Sequence, residues 1–277
     1  MRAGHADAAC SRAARPWLLA ATILGSSLAF IDGSVANLAL TALQLQFAAT
    51  ITDLQWVIEA YTLFLAALLL VGGSLGDRYG RKRIYAIGVA LFALASVGCG
   101  AASSMKMLII ARSVQGVGAA LLVPSSLATI SASFEQDERG KAIGMWSGFT
   151  AITSALGPVI GGLLIETLSW RAAFLLNVPL AIIVLVLVRR YVPESKEAHR
   201  RGGLDWGGAS LVTLGLGAVV YALIESGAHG LTQPSIAATL AAGIVLLLLF
   251  SITNGARPMP CCRSDYSNHG LSAAPIH

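Results

Sequence analysis

The sequence predicts an all-α membrane protein of about eight transmembrane helices. Three observations carry this. The 277 residues are 56% hydrophobic and only 12% charged, with a mean hydropathy of +0.72, whereas about a quarter of a soluble domain is charged. The apolar residues fall in runs of about 20, the length a helix needs to cross the hydrocarbon. The runs are continuous and do not alternate, so they are helices and not barrel strands.

Taken in order, the expected spans are Trp17 to Leu38, Leu54 to Leu75, Ile84 to Ala102, Met107 to Ser131, Ala142 to Ile165, Ala172 to Val188, Trp206 to Ile224 and Ile236 to Ile252. The first follows Arg2, Arg12 and Arg15 and so shares a feature with signal peptides. Its apolar run continues past Asp32 to about Leu40 without a small-residue cleavage site, which reads as a retained helix. Residues 1–16 form an N-terminal tail, 17–190 a six-helix bundle, 191–205 a polar linker and 206–253 two further helices. Residues 254–277 have no helical period and read as a disordered tail.

Lysine and arginine set the orientation, because cytoplasmic loops hold the excess. Sixteen of the nineteen bases lie on the side of the N-terminus, Lys106 and Arg171 lie on the other, and Arg112 is within a span. The N-terminus and the 191–205 linker are therefore read as cytoplasmic, and the chain as multi-pass in the cell inner (plasma) membrane. The pI near 9.2 does not indicate nucleic acid, because the bases sit in short loops between apolar runs. Cys10, Cys99, Cys261 and Cys262 show no metal-ligand or disulfide spacing. The sequence shows no nucleophile with a base, no metal cluster and no phosphate-binding loop, so no enzyme, metal or cofactor is expected.

Three ionisable residues fall inside spans: Asp32, Glu59 and Arg112. At ~1.5 Å per residue each is expected roughly 8–9 Å below the outer edge of the core. Two acids and a base at one depth can pair, and intramembrane charges mark functional sites. A carboxylate held between desolvation and a guanidinium can load and release a proton as water access changes. Asp32 is read as the carrier, with the proton gradient as energy source. Between two spans lies Gly72 to Arg83, GGSLGDRYGRKR, expected as a loop of one acid and four bases. Helix 5 holds Gly140, Gly144 and Gly148, then Gly157, Pro158, Gly161 and Gly162. Small residues four apart let membrane helices approach closely, and Pro158 frees a backbone carbonyl.

Several of these segments together resemble the major facilitator superfamily, and more narrowly its fourteen-helix drug:proton antiporters of the EmrB/QacA type. Gly73, Asp77, Arg78, Gly80 and Arg81 resemble the signature loop between helices 2 and 3. Leu108 through Arg112 to Gln115 and Gly116 resembles the helix 4 motif. Gly157, Pro158, Gly161 and Gly162 resemble the antiporter motif of helix 5. Asp32 with Asn37, and Trp170-Arg171 with Phe174, Asn177 and Pro179, match in order. Thr41 and Thr153 stand where the family commonly has proline and glycine.

The resemblance implies the family's N-terminal six-helix bundle plus two linker helices, and proton-coupled efflux of amphipathic, often cationic, small molecules across the lipid bilayer. It implies that Asp77 and Arg81 belong to a cytoplasmic gate, that Arg112 tunes protonation, and that Asp32 binds protons, cationic substrate or both. The family's chains run to fourteen helices, so the expectation is a chain truncated after the eighth, with a frameshifted tail after Pro260. The alternative is a non-transporting membrane fragment lacking the C-terminal bundle.

Overall fold

The computed structural model describes residues 14–195, 206–230 and 233–255. These form nine helices: α1 (Arg15–Phe47), α2 (Ile51–Tyr79), α3 (Arg81–Gly100), α4 (Met105–Ser133), α5 (Gln136–Thr167), α6 (Trp170–Leu175), α7 (Asn177–Tyr191), α8 (Trp206–His229) and α9 (Pro234–Gly255). Helices α6 and α7 make one span, so among the described residues eight helices are long and apolar enough to cross a membrane. The expected linker and tail lie largely, and the N-terminal tail almost wholly, outside the described residues.

The helices overrun the apolar windows at most ends. Helix α1 continues to Phe47 and α5 starts at Gln136, because backbone helicity persists where side chains turn polar. The ends are capped locally. Thr50 and Asp53 form a capping box on α2, with Asp53 N–H donating to Thr50 Oγ1 at 3.2 Å and Thr50 N–H to Asp53 Oδ2 at 3.0 Å. Ser104 and Ser169 cap α4 and α6.

The expected loop from Gly72 to Arg83 is corrected. Helix α2 runs through Tyr79 and α3 starts at Arg81, leaving Gly80 alone as the break. Its φ of +114° is a conformation that L side chains rarely adopt. The polar run resembled a loop because it is charged, yet a helix end at the membrane surface can be charged throughout.

Helix α1 runs through the middle of the bundle, in contact with α2, α4, α5, α6 and α7, while α3 packs on α4 and α7. The α8–α9 hairpin lies against α2, with Trp56 facing Tyr221. Glycines set the closest crossings. A Cβ on Gly118 would stand 2.7 Å from the Phe92 backbone nitrogen, and one on Gly88 would stand 2.7 Å from that of Leu122. Only residues without side chains let α3 and α4 meet this closely.

The prolines leave carbonyls that neighbours reach. Pro158 has no N–H for the Ser154 carbonyl, and Ser34 Oγ of α1 donates to it at 3.3 Å. Pro124 likewise releases the Ala120 carbonyl, against which Gly72 of α2 is seated. Helix α5 is otherwise thinly covered. Phe149, Ile152, Leu156, Val159 and Leu163 are exposed, and a Cβ on Gly140, Gly144 or Gly148 would meet nothing within 4 Å. That glycine trio does not mediate packing among the described residues.

Candidate functional site

Two apolar clusters fill the bundle. One surrounds Leu18, Tyr85, Phe92 and Leu122, and the other Leu43, Val57, Leu108 and Trp170. Between them lies a layer of polar side chains centred on Asp32, which stands near the middle of the 33-residue α1. Helix α1 extends well beyond the apolar run from which its span was expected.

Asp32 is 2% exposed and Arg112 is 1% exposed. Arg112 Nη1 donates a short, charge-assisted hydrogen bond to Asp32 Oδ2. The other oxygen, Oδ1, accepts from Gln115 Nε2 at 2.7 Å and from Asn177 Nδ2 at 2.8 Å. Two amides and a guanidinium thus replace the water that burial removes, as a buried charge requires. Ser96 Oγ accepts from Gln115 at 2.9 Å and from Asn177 at 3.3 Å, and donates to the Phe92 carbonyl at 2.8 Å.

Arg112 does not depend on Asp32 alone. Its Nε donates to the Val57 carbonyl at 3.0 Å and its Nη1 also to Gln115 Oε1 at 2.6 Å. The guanidinium lies 4.4 Å from the centre of the Tyr61 ring and 5.8 Å from that of Phe174, within range of cation–π attraction. Tyr61 is oriented by its hydroxyl, which donates to the Ala29 carbonyl at 3.2 Å. The arginine therefore keeps partners if the carboxyl loses its charge.

Glu59 does not join the cluster, correcting the expected three-way grouping. It is half-buried and makes no ion pair or hydrogen bond among the described residues. The reason is azimuth. Val57, Ala60 and Tyr61 face the bundle, while Glu59 shares a stripe with Gln55, Thr62 and Ala66, which are exposed.

The second sequence-predicted group lies at the α2–α3 break. Arg81 donates from Nε and Nη2 to Asp77 Oδ1 at 3.1 and 2.9 Å, and from Nη1 to the Ala128 carbonyl of α4 at 3.3 Å. Gly73 lies against Pro124 and Gly76 against Ser125, so these glycines seat α2 on α4. Arg78 turns away over the Tyr79 ring. The chain after α7 completes the corner: the Ser195 carbonyl accepts from Arg81 N–H at 3.0 Å and Glu194 Oε1 from Lys82 N–H at 3.2 Å.

In α5, a Cβ on Gly157 would stand 3.0 Å from Ser34 Cβ and one on Gly161 would stand 2.7 Å from Val35 Cγ2. These two seat α5 on α1, just beyond Asp32. Gly162 faces open space. Thr153, standing where the family commonly has glycine, bonds to Ser27 of α1 at 2.8 Å and thereby ties the same two helices.

A family model described as Major Facilitator Superfamily matches residues 22–257. The chain belongs to that superfamily. Among relatives within the superfamily, multidrug resistance protein Stp of Mycobacterium tuberculosis is 42% identical over 78% of this chain and 40% of its own length. Methylenomycin A resistance protein of Bacillus subtilis is 36% identical over 91% of this chain and 54% of its own. Puromycin resistance protein pur8 of Streptomyces alboniger is 40% identical over 86% and 47%. The chain thus spans about half the length of the curated relatives it matches.

Solved transporter structures share the fold. A bacterial homologue of the human lysosomal transporter Spinster, inward-facing, matches 88% of this chain and 62% of its own at TM-score 0.59 and 21% identity. The POT family transporter PepTSo matches 86% and 52% at TM-score 0.64 and 14% identity. The superfamily is one of multi-pass membrane transporters, which handle small molecules and need no enzyme chemistry.

Of the residues in the buried layer, only Asp32 and Arg112 stand out in the sequence by charge. Gln115 and Asn177 lie in matching motifs that give them no part, and Ser96 and Tyr61 carry no signal of their own. A neutral polar residue in a membrane helix gives no charge signal, and only the tertiary fold brings four helices to one carboxylate.

Proposed function

We propose that this chain is the proton-coupling bundle of an exporter of amphipathic, often cationic, small molecules in the plasma membrane, with its N-terminus cytoplasmic. One observation carries the reading: a fully buried carboxylate is balanced by a guanidinium that has independent partners. Such a site can survive in both charge states. With Asp32 ionised, Arg112 neutralises it. With Asp32 protonated, the Val57 carbonyl, Gln115 and the Tyr61 ring still hold the arginine. The resistance for which the relatives are named supports export as the direction.

Burial separates the two roles open to the acids. Asp32 is closed to a bulky cation in this conformation and suits a proton. Glu59, half-exposed, is the acid left for a cationic substrate. Asp77 and Arg81 act in a cytoplasmic gate, and Gly157, Pro158, Gly161 and Gly162 shape the α1–α5 wall that moves in exchange. Alternating access requires two walls rocking about a site near the midplane. The uncovered faces of α2 and α5 are where the second wall would stand.

The test is efflux of a cationic dye from vesicles containing this chain, with and without a proton gradient. Gradient-dependent efflux, lost in Asp32→Asn and Arg112→Ala, is expected. Efflux unchanged by both substitutions contradicts the proton site. The uncovered faces favour a second reading, a bundle that does not transport by itself. Absent efflux from a folded wild-type chain would establish that reading.

A further inference from the structure

One buried atom in the polar layer is left without a donor. Asn177 is 1% exposed, and its amide nitrogen serves both Asp32 and Ser96. Among the described residues, no donor reaches its Oδ1. A buried unsatisfied carbonyl is costly, so its presence beside a buried carboxylate calls for a reason. The amide orientation is imposed by charge. While Asp32 is ionised, Oδ1 cannot face it and Nδ2 must.

Protonation reverses that constraint. A neutral Asp32 presents an O–H donor in place of an acceptor. If the Asn177 amide turns over, its Oδ1 can accept from Asp32, and the Ser96 hydroxyl can rotate from the Phe92 carbonyl to donate as well. The orphaned acceptor of the ionised state then has two donors within the same layer, in exchange for the two hydrogen bonds that Nδ2 gives up, to Asp32 and to Ser96. The only covalent change is one proton taken from water by Asp32.

We infer that Asn177 is a proton-state sensor for Asp32: a positioning residue whose amide donates to the carboxylate and inverts to accept from the acid. The inference rests on the reading of Asp32 as the proton carrier and adds the group that registers its load. The other charged or titratable groups around Asp32 are Arg112 of α4, Tyr61 of α2 and Cys99 of α3. The charges of α5, from Asp137 to Lys141 and at Glu166, stand towards its ends, and those of α7 are Arg189 and Arg190 in its last turn. Asn177 also occupies a suitable place in the chain. It opens α7 directly after the Leu176 interruption, and Pro179 leaves the Leu175 carbonyl without its usual donor. A turn of the amide therefore acts at a point where the helix ladder is already broken.

The experiment is solid-state NMR on the full chain in lipid vesicles, with ¹³C-carboxyl aspartate and ¹⁵N-side-chain asparagine. Asp32 and Asn177 are assigned by the signals lost in Asp32→Asn and Asn177→Leu, or in Asn177→Ser should the leucine variant not fold. As pH falls, the Asp32 carboxyl signal is expected to shift, and its dipolar coupling to Asn177 Nδ2 to weaken several-fold in step. A titrating carboxyl with unchanged coupling would overturn the sensor while leaving Asp32 as a proton site. A carboxyl that never titrates would remove the proton-site reading and the sensor with it.

Discussion

Asp32–Arg112 and Asp77–Arg81 are both acid–arginine pairs, but they are built differently. The first joins residues 80 apart in sequence and is almost fully buried, with side-chain exposures of 1% and 1%. The second is an i,i+4 contact on consecutive helices, with exposures of 16% and 18%. The first can exist only once α1, α3, α4 and α7 have assembled around it. The second needs little more than the Gly80 turn and the flank of α4. A fully buried pair is strongly coupled to the fold and to proton access, while a local pair that keeps some exposure can open and close at lower cost. That is the division of labour expected of a coupling site and a gate.

Substitutions test the contrast by size. Removing one member of the buried pair, as in Arg112→Ala, leaves a lone charge in the bundle and should cost about 3–5 kcal/mol. Unfolding in mixed detergent micelles measures this. The double change Asp32→Asn with Arg112→Gln should cost clearly less than the two single changes added together. If the single losses simply add, the pair is not coupled.

Gly118→Ala forces a methyl group against the α3 backbone, which cannot yield as a side chain can. A loss of about 1–3 kcal/mol is expected in the same assay. Gly80→Ala should cost about 1–2 kcal/mol, because its backbone is left-handed. Glu194, which the new methyl group would also meet, can swing aside. Asp77→Asn should cost about 1 kcal/mol, the upper end for a local ion pair, because the pair keeps only 16% and 18% exposure. Gly144→Ala, which meets no neighbour, should change stability by about 0.5 kcal/mol or less. A large loss there would mean that this face of α5 is covered.

The same contrast explains what was legible in the sequence. The eight spans could be read because hydropathy is a property of each segment alone. Asp32 and Arg112 stood out because a charge inside an apolar run has no casual explanation. Glu59 stood out equally, but depth along a helix says nothing of the direction a side chain faces. The charged stretch from Gly72 to Arg83 looked like a loop because polarity marks the membrane edge and not the end of a helix. Asn177, Ser96 and Gln115 could not be identified as partners of one carboxylate without the packing of four helices.

The most direct test of Asp32 as the coupling site is proton release on cation binding. Tetraphenylphosphonium is added to the purified chain in weakly buffered detergent solution, and the protons released are compared with the cation bound. Release is expected in the wild type and its loss in Asp32→Asn. Equal release from both proteins, or binding without any release, would contradict Asp32 in that role.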